Sequence, residues 1–163
     1  MLQAQPITKK SKDLSVIKDL YWSAFLESEQ APMWFLLRRA KRNSVDFFTY
    51  YDNDDFVGFS HTITHGSLTF ILYIAVCEKS RSKEYGTQIL RCIQERYPNN
   101  RIILNAEAEN ESAADNEQRK KRKGFYIKND AVNDLVNNGG YEYLGKDEDG
   151  KAKFGNTPIK AKL

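Results

Sequence analysis

The chain has 163 residues and an almost balanced charge, with 25 basic and 22 acidic side chains. This length suits one domain with a substantial core, and a net charge of +3 does not by itself demand a nucleic-acid partner. A mean hydropathy of −0.65, with neither a membrane-length apolar run nor an export signal, argues against a membrane protein and favours a cytoplasmic one. Cys77 and Cys92 lack metal-ligand spacing, so we expect reduced core thiols.

The first half of the chain predicts a strand, two helices and a three-stranded antiparallel meander. Residues 2–8 favour a short edge strand, and apolar residues at helical spacing indicate a first helix over 11–26. A second helix begins at 31–34, with Pro32 near its first turn. The meander strands are predicted at 45–51, 56–64 and 67–77, with turn residues between them.

The second half predicts two helices that alternate with strands. A loop and helix span 78–97, a strand follows at 101–107, and the next helix covers 115–129, with Asp115 and Gln118 as a capping box. A weak strand near 131–136, a turn at 137–140 and a strand at 141–144 complete the order. We expect one domain over 1–146, followed by a charged and partly disordered tail over 147–163.

A cationic loop joins the strand ending near Cys77 to the next helix. It carries Lys79, Arg81 and Lys83 and leads directly into the helix start. A helix N-terminus presents unpaired backbone N–H groups and the positive end of the helix dipole. The pattern therefore indicates a site for a phosphate-bearing ligand, although a solvated charged turn gives the same pattern.

The helix predicted at 115–129 places cations and a phenol on one face. Arg119, Arg122, Lys123 and Tyr126 are three, four and seven residues apart, which is the spacing of a single helical face. The basic run 120–123 also suits nucleic-acid phosphates. Because the inward face continues into Phe125, a small phosphate-bearing ligand is the tighter explanation, and we expect no nucleic-acid partner.

Three segments resemble the GNAT acyltransferases, in particular a small bacterial acetyltransferase subgroup. Arg81-x-x-Glu84-x-Gly86 is similar to the family's Arg/Gln-x-x-Gly-x-Gly/Ala pyrophosphate loop, with Glu84 in place of the first glycine. Residues 116–129 resemble the subgroup's Gln-Arg-x-x-Arg-x-x-Phe-Tyr-x-x-Asn-Gly-Phe, but residues 129–131 are Asn-Asp-Ala. Residues 102–107 resemble its Leu-Asn-Ile-Glu strand.

The resemblance implies a fold and an activity. The fold is α/β, with a mixed central sheet that splays between strands 4 and 5 and helices on both faces. The activity is N-acetyl transfer from acetyl-CoA to a primary amine, in a small molecule or a protein, by direct attack in a ternary complex. The acetyl-CoA contacts implied are Ile74, Ala75, Val76, Arg81, Ser82, Lys83, Tyr85, Gly86, Thr87, Asn105, Arg119, Arg122 and Lys123.

Two residues are candidates for the acid–base chemistry. Tyr126 is the candidate acid, because a phenol can hydrogen-bond a developing thiolate and return a proton to it. A core tyrosine packed beside Phe125 is the alternative. Glu107, at the end of its strand, is a candidate base, acting directly or through water; it could instead contact the acceptor ammonium or cap a loop.

The acceptor site is placed by analogy between the loop joining the first two helices and the final hairpin. Glu29 and Trp34 come from the former, and Tyr141 and Tyr143 from the latter; carboxylates and aromatic rings suit a cationic amine. His61 and His65 are four residues apart, but no third ligand lies at suitable spacing, so we expect no metal.

The sequence is also compatible with other functions. A regulatory or docking protein that binds acyl-CoA with weak or absent catalysis would fit the changes at Glu84 and at 129–131. Nucleic-acid binding through residues 119–123 is a third possibility. The chain is expected to be a monomer or a homodimer, and the acceptor is not identified by the sequence.

Overall fold

The computed structural model describes residues 2–80, 84–107, 111–112, 114, 116–129, 134–138, 142–146 and 152–156, and at 105–107, 127, 134–138, 142–146 and 152–156 the backbone alone. The helices of these residues are α1 (Leu14–Ala24), α2 (Met33–Arg39), α3 (Tyr85–Arg96) and α4 (Asn116–Lys128). Single 3₁₀ turns lie at Glu27–Glu29 and Glu78–Ser80. Among the described helices, none combines the length and apolar character needed to cross a membrane.

The strands are β1 (Gln3–Pro6), β2 (Val45–Asp52), β3 (Asp55–His65), β4 (Leu68–Val76), β5 (Arg101–Glu107), β6 (Asp134–Asn138), β7 (Glu142–Lys146) and β8 (Ala152–Asn156). They form one sheet in the order β1 to β8, parallel at β4–β5 and β5–β6 and antiparallel elsewhere. The predicted mixed sheet is confirmed. Strand β8 was not predicted. It lies inside the segment 147–163, which was expected to be a tail, and it pairs with β7.

The sheet splits between β4 and β5. Their pairing runs only from Leu68 opposite Arg101 to Ile71 opposite Leu104. On the other side of β4 the register with β3 shifts at the same level and leaves Leu72 as the extra residue of a β-bulge. A bulge bends its strand and increases its twist, so the second half of β4 turns away from β5. The predicted splay is therefore confirmed.

Helices cover both faces of the sheet, as predicted. On one face, Ile89 and Leu90 of α3 pack with Ile71 of β4, and the aromatic end of α4 lies at the edge of this cluster. On the other face, Ile17 and Tyr21 are among the residues of α1 and α2 that pack on β2, β3 and β4. On the α1 face the buried rings of Tyr21, Phe47, Phe59 and Tyr73 form a chain of ring contacts.

Candidate active site

The open half of β4 presents backbone groups to the split. The Cys77 amide donates to the Val57 carbonyl of β3 at 2.9 Å. Since the direction of backbone groups alternates along a strand, Ala75 also faces β3, whereas the N–H and C=O groups of Ile74 and Val76 point into the opening. Of the three predicted backbone contacts, two are thus directed at the split. Ala75 is directed away from it.

The first turn of α3 lies beside this opening. Glu84 precedes the helix with φ 56° and ψ 14°, a left-handed conformation that glycine adopts at least cost, and its side chain makes no capping hydrogen bond. The first intrahelical bond of this turn joins the Gln88 amide to the Glu84 carbonyl at 3.0 Å. The amides of Tyr85, Gly86 and Thr87 therefore have no acceptor within the helix.

Two contacts fix the position of this turn. The Tyr85 hydroxyl donates to Asp52 Oδ2 in the β2–β3 turn at 2.6 Å, and this bond raises the pKa of Tyr85. Gly86 allows α4 to approach, because a Cβ at that position would lie 2.8 Å from Cζ of Phe125. The predicted loop residues Arg81, Ser82 and Lys83 lie outside the described residues.

Tyr126 lies at the edge of the α3 cluster, together with Ile74, Val76 and Tyr85. Its ring meets Phe125 edge to face, with 5.2 Å between centroids. Burial raises the pKa of Tyr126 to about 12, and the nearby Arg122 charge acts in the opposite direction. Among the described residues, no group forms a hydrogen bond with its hydroxyl. The side chain is half-buried, so both its packing role and its chemical role are compatible with this position.

The cations of α4 follow the predicted face. Arg119 and Lys123 are half-buried and Arg122 is exposed. Arg122 Nη2 lies 3.5 Å from the Ala24 carbonyl at the end of α1, which places α4 next to the loop that follows α1. The proposed cap Asp115 lies outside the described residues.

Two tyrosine hydroxyls, one from β4 and one from α1, hold the backbone of the loop between α1 and α2. Tyr73 donates to the Glu29 carbonyl at 2.6 Å and accepts from the Ala31 amide at 3.3 Å, while Tyr21 donates to the Ala31 carbonyl at 3.0 Å. Sequence reasoning missed both tyrosines as site residues. The available signal was a hydroxyl within the apolar run 70–76, which had to find a buried partner.

Of the four predicted acceptor residues, the structure describes the side chains of Glu29 and Trp34. Glu29 is half-buried in this loop, and Trp34 is 61% exposed at the start of α2. Tyr141 lies outside the described residues, as do the side chains of Tyr143, Asn105 and Glu107, whose backbones belong to β7 and β5. Tyr85 and Tyr126 pack against the same core cluster, and the charge of Arg122 acts on Tyr126.

His61 is buried on the α1 face, and both its ring nitrogens lack hydrogen-bond partners. Its ring centroid is 5.1 Å from that of Phe47 and 6.1 Å from that of Tyr73. Burial lowers its pKa to about 4. His65 ends β3 next to Gly66, and within the described part of the chain no group of three or more His, Cys, Asp and Glu could hold a metal.

Comparison with known proteins identifies the family to which the chain belongs. The sequence profile of the Acetyltransferase (GNAT) family matches residues 14–116. A Bacteroides thetaiotaomicron protein described as a GNAT-family acetyltransferase has a TM-score of 0.63 at 22% identity, over 77% of this chain and 69% of that one. Comparison with curated proteins gives no match.

Two further solved structures share the fold. An aminoglycoside acetyltransferase from an uncultured soil metagenomic sample has a TM-score of 0.56 at 16% identity, over 78% of this chain and 90% of that one. A Bacillus subtilis acetyltransferase in complex with CoA has a TM-score of 0.50 at 16% identity, over 76% of each chain. At these identities the likeness concerns the fold.

Proposed function

Because the chain belongs to the GNAT acetyltransferase family, we propose that it transfers the acetyl group of acetyl-CoA to a primary amine, by direct attack in a ternary complex. One observation supports this proposal above the others. The backbone groups of Ile74 and Val76 point into the split of the sheet, and both residues share a cluster with Tyr85 and Tyr126. A thioester held there would have a proton donor beside it.

The residues around the split fit acetyl-CoA. Its pantetheine arm carries amides, which can pair with an open strand edge as a neighbouring strand would. Its pyrophosphate suits the amides of Tyr85, Gly86 and Thr87 at the positive end of the α3 dipole, where Glu84 at the N-cap is followed by a first turn without acidic residues. Arg81, Ser82, Lys83, Asn105, Arg119, Arg122 and Lys123 complete the proposed contacts.

The chemistry required of the protein is modest. Acetyl-CoA supplies an activated acetyl group and a sulfur leaving group. With a pKa of about 12, Tyr126 keeps its proton on Oη near neutral pH and can donate it to that sulfur. We propose Glu107, whose backbone ends β5 on the far side of the split, as the base or the acceptor contact.

The acceptor is proposed as a small-molecule or protein amine that approaches past the α1–α2 loop, near Glu29 and Trp34, with Tyr141 and Tyr143 on the opposite side. The soil-derived relative is described as an aminoglycoside acetyltransferase, which makes aminoglycosides one class to test. We propose that the protein works in the cytoplasm without a metal, as a monomer or homodimer. Cys77 and Cys92 are unpaired thiols, which suits a reducing compartment.

An acyl-CoA-binding protein with little catalysis is the second candidate. Glu84 favours it, because a carboxylate stands where the α3 dipole would meet phosphate. The change from the family's Asn-Gly-Phe to Asn-Asp-Ala at residues 129–131 is less telling, because Asn129 caps the helix. Its side chain donates to the Phe125 carbonyl at 2.8 Å and so ends α4 without the family's glycine.

Two assays together test the proposal. Saturating CoA or acetyl-CoA should raise the melting temperature by several degrees, because only the folded protein binds it. Thiol release from acetyl-CoA should then depend on an added amine, which a panel of metabolite amines, peptides and aminoglycosides would identify. Binding without amine-dependent release would favour the second candidate. Absence of any thermal shift would overturn both candidates.

A further inference from the structure

We infer that the closed end of the β2–β3 hairpin positions the first turn of α3 for the pyrophosphate of CoA, and that Tyr85 and Asp52 are the positioning residues. The inference rests on the proposed function, since it deepens the account of the same cofactor site. The Tyr85 hydroxyl donates to Asp52 Oδ2 at 2.6 Å. Through this bond the hairpin holds the residue whose backbone begins the helix.

The hairpin holds the cationic loop at both of its ends. Where the chain enters the loop, the Cys77 amide donates to the Val57 carbonyl of β3 at 2.9 Å, and Cys77 Sγ lies 3.4 Å from the Phe56 carbonyl oxygen. Where the chain leaves the loop, Tyr85 is bonded to Asp52 of β2. All three hairpin partners lie within six consecutive residues. One short piece of the sheet therefore sets the distance between the two ends of the loop.

The closed end of the hairpin is itself a fixed support. Asp52 pairs with Asp55 across a two-residue turn, in which Asn53 has φ 54°. The preceding residue, Tyr51, donates to Asp13 Oδ2 at 2.7 Å and so ties this end of β2 to the start of α1. Backbone amides held by such a support are in place before the ligand arrives. A site organised in advance loses less conformational freedom on binding, and its affinity is higher for that reason.

The hydroxyl of Tyr85 acts on the protein and not on the phosphate. A phenol has one proton to donate, and in Tyr85 that proton is directed to a carboxylate. The bond raises the pKa of Tyr85, so the phenol keeps its proton and remains the donor at neutral pH. The ring packs separately against the cluster that contains Ile89 and Leu90. Removing the hydroxyl alone therefore releases the turn and leaves the core filled.

Titration with CoA and with pantetheine, which lacks the pyrophosphate, tests the inference. Calorimetry suits CoA, and ligand-observed NMR suits the weaker pantetheine. Tyr85→Phe should weaken CoA binding about tenfold, the value of one hydrogen bond to a charged group, and should change pantetheine binding less than twofold. A variant that had merely lost structure would bind both ligands less tightly.

Changes at Asp52 show whether the two residues act as a pair. Asp52→Ala should match the loss caused by Tyr85→Phe, and the double variant should lose no more than either single one. Asp52→Asn keeps an oxygen that accepts the bond, so it should retain most of the CoA affinity. Asp54→Asn is the matched control for charge, since Asp54 is exposed in the same turn.

The outcomes separate the inference from the proposed function. Unchanged CoA affinity in Tyr85→Phe, equal losses for CoA and pantetheine, or additive losses in the double variant would each overturn the inference. An effect of Asp54→Asn as large as that of Asp52→Ala would also overturn it, because charge alone would then be the cause. The expected losses in a protein without amine-dependent thiol release would keep the inference and reject acetyl transfer. A wild-type protein that binds no CoA would overturn both.

Discussion

The two halves of β4 are alike in sequence and unlike in structure. Leu68–Ile71 is paired with a strand on each side, whereas Tyr73–Val76 pairs with β3 alone. Both halves are dominated by large apolar residues with similar burial. The difference arises at a single bulged residue, Leu72. A candidate site can therefore arise from one extra residue that releases a strand edge, without any change in strand composition.

The largest expected effect concerns the chemistry beside the open half. Tyr126→Phe removes one hydroxyl and preserves the ring that packs on the α3 cluster. If this hydroxyl returns a proton to the sulfur, turnover should fall by roughly two to four orders of magnitude. Steady-state kinetics on an identified amine would measure the change.

Binding provides the control for Tyr126. The variant should bind CoA with nearly unchanged affinity, because the hydroxyl forms no hydrogen bond with the described residues. A loss of turnover below about threefold, with chemistry shown to be rate-limiting, would return Tyr126 to a packing role.

A pair of proline substitutions compares the two halves directly. Phe70→Pro inserts proline between two paired strands and should cost about 3 kcal/mol or more of folding free energy. Ile74→Pro removes an N–H that points into the split, so the fold should survive while CoA affinity falls about tenfold. Urea unfolding and CoA titration measure these effects. Equal destabilisation by both substitutions would contradict the assignment of an open edge.

Opposite the bulge, His61 makes stability depend on pH. Its pKa is about 4 when folded, against about 6.5 when unfolded, so the unfolded chain binds the proton more tightly. The contribution of His61 to the free energy of unfolding is fully present above about pH 6.5. It falls as the pH decreases towards about 4, and the total loss is roughly 3 kcal/mol.

The variant His61→Leu should flatten this pH dependence, and it also removes two unsatisfied polar atoms. Denaturant melts between pH 4 and 7 on both proteins would show the difference. An identical slope in the two proteins would assign the acid sensitivity to other groups.

The smallest effect is expected at the turn before α3. Glu84→Gly relieves a left-handed residue but increases the freedom of the unfolded chain, so we expect a net gain of about 0.5–1 kcal/mol. CoA should also bind more tightly, since a negative charge leaves the helix N-terminus. Thermal melts and calorimetry test both effects, and Glu78→Gln serves as a control for charge alone. Unchanged stability would argue against strain at this position.

Sequence patterns recovered most of the fold because they depend on local chemistry. The strand predicted at 101–107 coincides with β5, and α3 begins beside the glycine that its motif indicated. Strand β8 was missed because Ala152–Asn156 has too few apolar residues to alternate. Its pairing comes from β7, which is a tertiary contact and not a local preference.

The candidate site was only partly predictable. The cationic loop and the Tyr126 helix are contiguous motifs, which a sequence displays directly. The bulge at Leu72 lies within the uninterrupted apolar run 70–76, where no residue type marks a change of register. The bonds from Tyr73 to Glu29 and from Tyr85 to Asp52 join residues more than 30 positions apart. Partners this far apart are brought together only when the chain folds, so no local spacing in the sequence indicates them.

The sheet order has a consequence for how the chain folds. Each described strand lies beside its neighbour in sequence, and the β2–β3–β4 meander spans only Val45 to Val76 with tight turns. Contacts at short sequence separation form fastest, so this meander should fold early and expose the outer edge of β4. Strand β5 follows α3 in the chain, and it then pairs with β4 from Leu68 as far as the bulge. In this view the split is the place where β4–β5 pairing ends, at Ile71. Pulse-labelled hydrogen exchange should find that the backbone amides of Ile103 and Leu104 become protected later than that of Phe59.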